Sequence, residues 1–274
     1  MGAAMARNLL SAGYEVQAWN RTVEKAQPLA DDGARICEDT AQAVKGADLV
    51  ITILSDAAAV LDSVDSALGS IRDDAIWLQM STIGEEGTER CMKLAASRGI
   101  AFIDAPVLGT KQPAEQGKLV VLASGDDALC ERVQPIFDVV GQRTIWVGAA
   151  GSGTKLKVAT NSWILAVVEG GAETLALAQG LGIDPKLVLE AVSGGPLDLP
   201  YLQMKGKAML ERNFEASFKL ELAAKDAGLV EAAAQRHGLD LPLVSTIRRR
   251  LEQGAREHGE QDMSATYLTS VGGR

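Results

Sequence analysis

Lys157 and Asn161 stand four residues apart in the stretch G-S-G-T-K-L-K-V-A-T-N at 151–161, which opens a long apolar run. In a helix of 3.6 residues per turn that spacing brings both side chains to one face, whereas Lys155 lies about 200° round from Lys157. An ammonium beside a carboxamide can hold a carbonyl oxygen and hand it a proton. Two solvated polar residues on a glycine-started helix would have the same spacing, so the chemistry depends on what the rest of the chain brings to that helix.

The segments ahead of residue 150 alternate between strand and helix patterns. Residues 1–12 read as a helix ended by Gly13, 14–19 as a strand, 23–31 as a helix, 34–37 as a strand and 39–47 as a helix. Next come an apolar strand at 48–54, expected to be fully buried and polar only at Thr52, a helix at 57–68 capped by Ser55-Asp56, and a strand at 75–81. A helix at 82–98, strands at 100–106, 118–124 and 144–148, and a helix near 127–140 complete the series. Such alternation predicts a doubly wound, Rossmann-like α/β sheet, whose ligands lie at the carboxyl ends of its strands. Those ends are Asn20–Thr22, Leu54–Asp56, Ser81–Thr82 and the loop 105–117. After Gly148 the pattern turns wholly helical: 152–180, 184–193, 200–212, 217–238, 241–258 and 262–269. Two domains follow, a dinucleotide-binding sheet domain at 1–150 and an all-α domain at 151–274 for substrate and oligomerisation.

In a dinucleotide-binding βαβ unit a G-x-G-x-x-G loop precedes the first helix, and the tip of the second strand meets the adenosine ribose. Here only Met1-Gly2 of that loop is present and the first strand is missing; both are expected upstream in the natural protein. Asn20-Arg21-Thr22 offers a cation and no acid before Glu24. A guanidinium suits a 2′-phosphate through paired, charge-assisted bonds, so NADP is expected over NAD.

Bulk properties exclude several classes. The 274 residues are 47% hydrophobic and 23% charged, with a formal net charge of −9, which argues against nucleic-acid or anionic-membrane partners. Cys37, Cys91 and Cys130 have neither disulfide nor metal-ligand spacing, which fits a reducing, cytoplasmic setting and no metal. Both histidines, His237 and His258, fall in the helical half, away from any triad. No apolar run reaches the length of a membrane span.

Taken in order, M-G (1–2), W-N-R-T (19–22), S-T-I (81–83), D-A-P-V-L-G-T-K-Q-P-A-E-Q-G (104–117), G-S-G-T-K-L-K-V-A-T-N (151–161) and K-D (225–226) resemble the β-hydroxyacid dehydrogenase family across essentially the whole chain. That family includes 3-hydroxyisobutyrate dehydrogenase, and G-T-K-Q-P-A-E looks most like its glyoxylate/succinic semialdehyde reductase branch. The resemblance implies Lys157 as catalytic acid/base with Asn161 holding the substrate. It implies Ser81, Gly109 and Thr110 near the substrate carboxylate, largely through backbone N–H groups. It also implies Thr82 and Lys225 near the nicotinamide, Asp226 orienting Lys225, and Gly2, Asn20, Arg21, Thr22, Leu54 and Ser55 along the rest of the dinucleotide. Leu108 stands where the family usually has Ser, and loss of that hydroxyl puts the usual small hydroxyacid in question.

The implied activity is NADPH-dependent reduction of a small anionic semialdehyde or α-keto acid to the hydroxyacid, by a homodimer or homotetramer. An imine reductase of the same two-domain plan is one alternative, opposed by Lys157. A non-catalytic oligomerisation module is another, opposed by the retained Lys157, Asn161, Lys225 and Arg21.

Overall fold

The computed structural model of the chain describes residues 1–272, and the chain divides into two compact units, Met1–Lys157 and Val158 onward. The first unit runs α1 (Gly2–Ser11), β1 (Gln17–Ala18), α2 (Val23–Ala26), α3 (Pro28–Asp31), β2 (Arg35–Ile36), α4 (Thr40–Val44), β3 (Leu49–Thr52) and α5 (Ala57–Asp65). It continues with β4 (Ile76–Gln79), α6 (Gly84–Ser97), β5 (Ala101–Asp104), β6 (Val107–Leu108), α7 (Lys111–Glu115), β7 (Leu119–Gly125), α8 (Cys130–Val140) and β8 (Gly141–Trp146). The helix α9 (Ser152–Gly180) begins in this unit and runs on through the second.

β3, β4 and β5 are parallel and in order, and β4 is buried at all four positions, as a central strand of an α/β sheet should be. The ring of Trp77 on β4 meets Phe102 on β5 edge-on, with centroids 5.1 Å apart, and its indole N–H donates to Thr52 Oγ1 at 2.9 Å. That bond explains the single polar residue of β3. Beyond β5 the sheet becomes mixed: β7 pairs antiparallel with both β5 and β6, and β8 returns parallel to β7. The stretch 105–117, expected as a loop, therefore contains β6 and α7. Too few residues join β6 to β7 for a crossover, so the chain can only double back.

The strand expected over 14–19 pairs at just Gln17 and Ala18, with β2, and the sheet is interrupted between β1 and β3. The edges of β1 and β3 flank one cleft of about 470 Å³, lined among others by Val16, Ala18, Leu49, Ile51, Met5 and Ile136. Leu49 and Ile51 are consequently only half-buried, not fully buried as their apolar run suggested. The helix expected over 23–31 is broken at Gln27, because Pro28 has no N–H to continue the ladder.

The second unit adds α10 (Lys186–Val192), α11 (Pro200–Leu210), α12 (Leu220–Arg236), α13 (Pro242–His258) and α14 (Tyr267–Val271) to the rest of α9, all near their expected positions. Val168, Leu175, Met209, Ala223, Leu251 and Met263 pack at its centre. A buried Lys205–Asp262 pair at 2.7 Å ties α11 to the turn before α14, where Asp262 also accepts from the backbone of Ser217, Phe218 and Ser264. No helix among the described residues is long and apolar enough to cross a membrane.

Candidate active site

Four strands of the first unit end on one row of polar residues. Thr52, Gln79, Asp104 and Ser124 are register partners in turn across β3, β4, β5 and β7, and all four are buried. A buried polar group must find partners, and each of these does. Thr52 Oγ1 donates to Gln79 Oε1 at 3.4 Å, and Gln79 Nε2 donates to the Ser81 carbonyl at 2.9 Å. Ser81 is a cross-tie: its N–H donates to Gln79 Oε1 at 2.7 Å, and its hydroxyl donates to the Thr52 carbonyl at 3.2 Å and accepts from Leu54 N–H at 2.9 Å. Its backbone donor is thus engaged inside the sheet end. Ser81 sets the backbone leading into half-buried Thr82.

The row ends at the first turn of α9. Gly153 N–H donates to Ser124 Oγ at 2.9 Å, and Thr154 donates to Asp104 through both its N–H and its hydroxyl, each at 2.7 Å. A Cβ on Gly153 would lie 2.2 Å from the Leu122 carbonyl oxygen, so the second glycine of G-S-G is what lets the helix start this close to the sheet. Gly151 has φ +91°, the left-handed turn that glycine tolerates. Burial pushes the Asp104 carboxyl up to about 6, against the pull of hydrogen bonds from Thr154, Ser124 and the Gly151 N–H. Spacing alone did not reveal this anchor. The signal present was an acid closing the apolar strand A-F-I-D.

Lys157 is only 9% exposed and Asn161, one turn later on the same helix face, is 2% exposed. Two solvated residues would not be buried to this degree. In the second unit Asn161 Nδ2 donates to Asp226 Oδ2 at 2.8 Å, and Lys225 Nζ lies 2.8 Å from Asp226 Oδ1, close enough for an ion pair but not angled as a hydrogen bond. Asp226 therefore orients Asn161 as well as contacting Lys225, a link across 65 positions that no local pattern signals.

On the loop side of the sheet, Leu108 is half-buried on β6, opposite Val120. Gly109 follows at φ +127°, where a Cβ would fall 2.7 Å from Leu119 Cδ2, and Thr110 then starts α7. At the cofactor end, Gly2 opens α1 against the tip of β3, where a Cβ would stand 2.9 Å from Ile53 Cγ2. The first turn of α1 carries no acid and no side-chain cap, which leaves its N–H groups suited to an anion. Asn20 Oδ1 accepts from Thr22 N–H at 2.9 Å, a tight turn that leaves Arg21 exposed and without an ion-pair partner among the described residues. Half-buried Leu54 and exposed Ser55 follow the end of β3. These features fit the phosphates and ribose of a dinucleotide.

Comparison with known proteins gives the same answer. The profile of the NAD binding domain of 6-phosphogluconate dehydrogenase matches residues 1–148, and that of the NAD-binding domain of NADP-dependent 3-hydroxyisobutyrate dehydrogenase matches 151–269. Glyoxylate/succinic semialdehyde reductase 1 of Arabidopsis thaliana is 32% identical over 266 residues, covering 96% of this chain and 92% of that protein. The structure of Mycobacterium tuberculosis 3-hydroxyisobutyrate dehydrogenase with L-serine superposes with a TM-score of 0.89 at 27% identity, covering 98% of this chain and 95% of the other. An imine reductase from Myxococcus stipitatus in complex with NADP+ shares the fold at a TM-score of 0.67 and 21% identity, over 97% of this chain and 95% of its own. With both segments matched in order and a reductase similar along nearly all of both chains, the protein belongs to the 3-hydroxyisobutyrate dehydrogenase-like, or β-hydroxyacid dehydrogenase, family of NAD(P)-dependent oxidoreductases acting on CH–OH groups.

Proposed function

We propose that this protein reduces a small semialdehyde or α-keto acid to the hydroxyacid with NADPH, Lys157 supplying the proton. The observation that carries this is the near-complete burial of Lys157 beside Asn161 on a helix whose first turn is fastened to the sheet. A nicotinamide, when bound, supplies the hydride. The chain's own part is to hold the carbonyl oxygen, stabilise the charge developing on it and protonate it. Lys157 does the last two, and Asn161, held by Asp226, fixes the oxygen. Gly109 and Thr110 take the substrate carboxylate. Gly2, Asn20, Arg21, Thr22, Leu54, Ser55 and Thr82 hold the dinucleotide, with Lys225 assigned to its nicotinamide side.

Preference for NADPH rests on Arg21, exposed at the end of β1 with no acid beside it until Glu24. In domain terms, 1–150 binds the cofactor, while 151–274 serves substrate binding and self-association. Trp163 and Leu177 support the latter, because they share one face of α9 and are each 62% exposed, and Leu181 just past the end of that helix is 67% exposed. A dimer or tetramer would cover them.

Imine reduction is the competing reading, since an enzyme with that activity shares the fold. Lys157 opposes it and Leu108 favours it slightly, by removing polarity from the carboxylate side. The deciding experiment follows oxidation of NADPH and of NADH with glyoxylate, succinic semialdehyde and a cyclic imine. The proposal expects aldehyde-acid turnover with NADPH favoured at least about tenfold, the scale of one lost charged contact. Faster turnover of the imine, or no turnover of either acid, would overturn it.

A further inference from the structure

Asp104 is wholly buried, closes β5, and has no role in the chemistry assigned so far. Its carboxylate accepts Thr154 N–H on Oδ2 and the Thr154 hydroxyl on Oδ1, each at 2.7 Å, and the Ser124 hydroxyl on Oδ2 at 3.2 Å. Ser124 in turn accepts Gly153 N–H, and the Thr154 hydroxyl stands 3.0 Å from that of Thr88 on α6. The first N–H groups of a helix have no partners inside it, and any side chain that meets them fixes how the helix starts. Here the partners come from two different strands, and bare Gly153 lets the turn press against the Leu122 carbonyl. The start of α9 is thereby fixed both along its axis and about it. Lys157 projects from the next turn.

We propose that Asp104 is the positioning residue of Lys157, setting the rotation and advance of the turn that carries the amine. The inference rests on the assignment of Lys157 as proton donor. The lever arm gives the expected size. A lysine nitrogen reaches roughly 8 Å from the helix axis, so a rotation of about 10° moves it by more than ~1 Å. Misplacement on that scale can cost about a hundredfold in rate.

The test compares D104A, D104N, S124A and K157A in the full chain. It measures kcat and KM for the carbonyl substrate, KM for NADPH, and hydrogen exchange in the peptide 151–161. D104A is expected to lose about a hundredfold in kcat, with the NADPH KM within about twofold and faster exchange at Gly153 and Thr154. D104N should return kcat to within about threefold of wild type. Its amide oxygen can accept Thr154 N–H while its amide nitrogen donates to the Thr154 hydroxyl, which then turns towards Thr88. S124A removes the partner of Gly153 N–H and the long Ser124 bond to Asp104 while leaving both Thr154 bonds in place, and should show the same pattern at about tenfold, including where D104A does not fold. A residue that merely stabilised the fold would lower the folded fraction and leave kcat per active site unchanged. Normal turnover by D104A or S124A beside an inactive K157A would overturn the inference alone. D104N as impaired as D104A would also overturn it, while normal turnover by K157A would defeat the Lys157 assignment together with it.

Discussion

Replacing Asp104 by Asn should make the protein more stable, increasingly so as pH rises from 4 to 7. Asp104 is buried, and its carboxyl is pushed from 3.8 to about 6, chiefly by burial. The folded chain therefore holds this proton more tightly than the unfolded chain does. The resulting stabilisation is complete below about pH 3, where both forms are protonated, and is lost as pH climbs from there through 6. Such a displacement corresponds to about 3 kcal/mol. Asparagine does not titrate and keeps the acceptor for Thr154 N–H. Its added donor meets the Thr154 hydroxyl, whose own proton has Thr88 to go to at 3.0 Å. The difference in stability between D104N and wild type should thus rise by about 2 kcal/mol between pH 4 and pH 7, other titrating groups cancelling. Urea unfolding followed by tryptophan fluorescence at four pH values measures it. A pH-independent difference, or one in which D104N loses ground as pH rises, would refute the reasoning.

Other outcomes follow from the same geometry. Gly153→Ala sets a methyl 2.2 Å from the Leu122 carbonyl oxygen, and backbone cannot yield cheaply, so it should destabilise by about 3 kcal/mol in urea unfolding. Arg21→Ser should raise the KM for NADPH by roughly 10- to 100-fold and leave that for NADH within about twofold, because only the phosphate contact is lost. Leu108→Ser restores a hydroxyl on β6 at a half-buried position; it should lower the KM for a small carboxylate substrate by up to about tenfold. An unchanged KM would place the carboxylate elsewhere.

The alternating pattern before Gly148 and the helical pattern after it were enough to read the class of each half, because periodicity reports burial and burial follows from these layers. The bounds 152–180 of α9 were legible for the same reason, marked by glycines at both ends. The mixed part of the sheet was not, since an apolar strand reads the same whether it runs parallel or antiparallel, and β6 is two residues long. Leu49 and Ile51 misled because their burial depends on a neighbouring strand rather than on their own hydrophobicity. Among the proposed site residues, Lys157 and Asn161 were visible through their spacing on one helix. Asp104, Ser124 and Asp226 act through bonds spanning 50, 29 and 65 positions, which only tertiary structure brings together. Ser81 was visible as a polar residue at a strand end, but its side chain and N–H turn inward to Gln79, Thr52 and Leu54.

The central claim is that the Lys157 amine delivers the proton to the carbonyl oxygen, and Lys157→Ala in single-turnover kinetics tests it most directly. General acid catalysis is worth roughly 10²- to 10⁴-fold. Reduction of glyoxylate or succinic semialdehyde by pre-bound NADPH should slow by at least about a hundredfold, while the NADPH Kd from fluorescence titration stays within about twofold of wild type. A rate within about threefold of wild type would contradict the account.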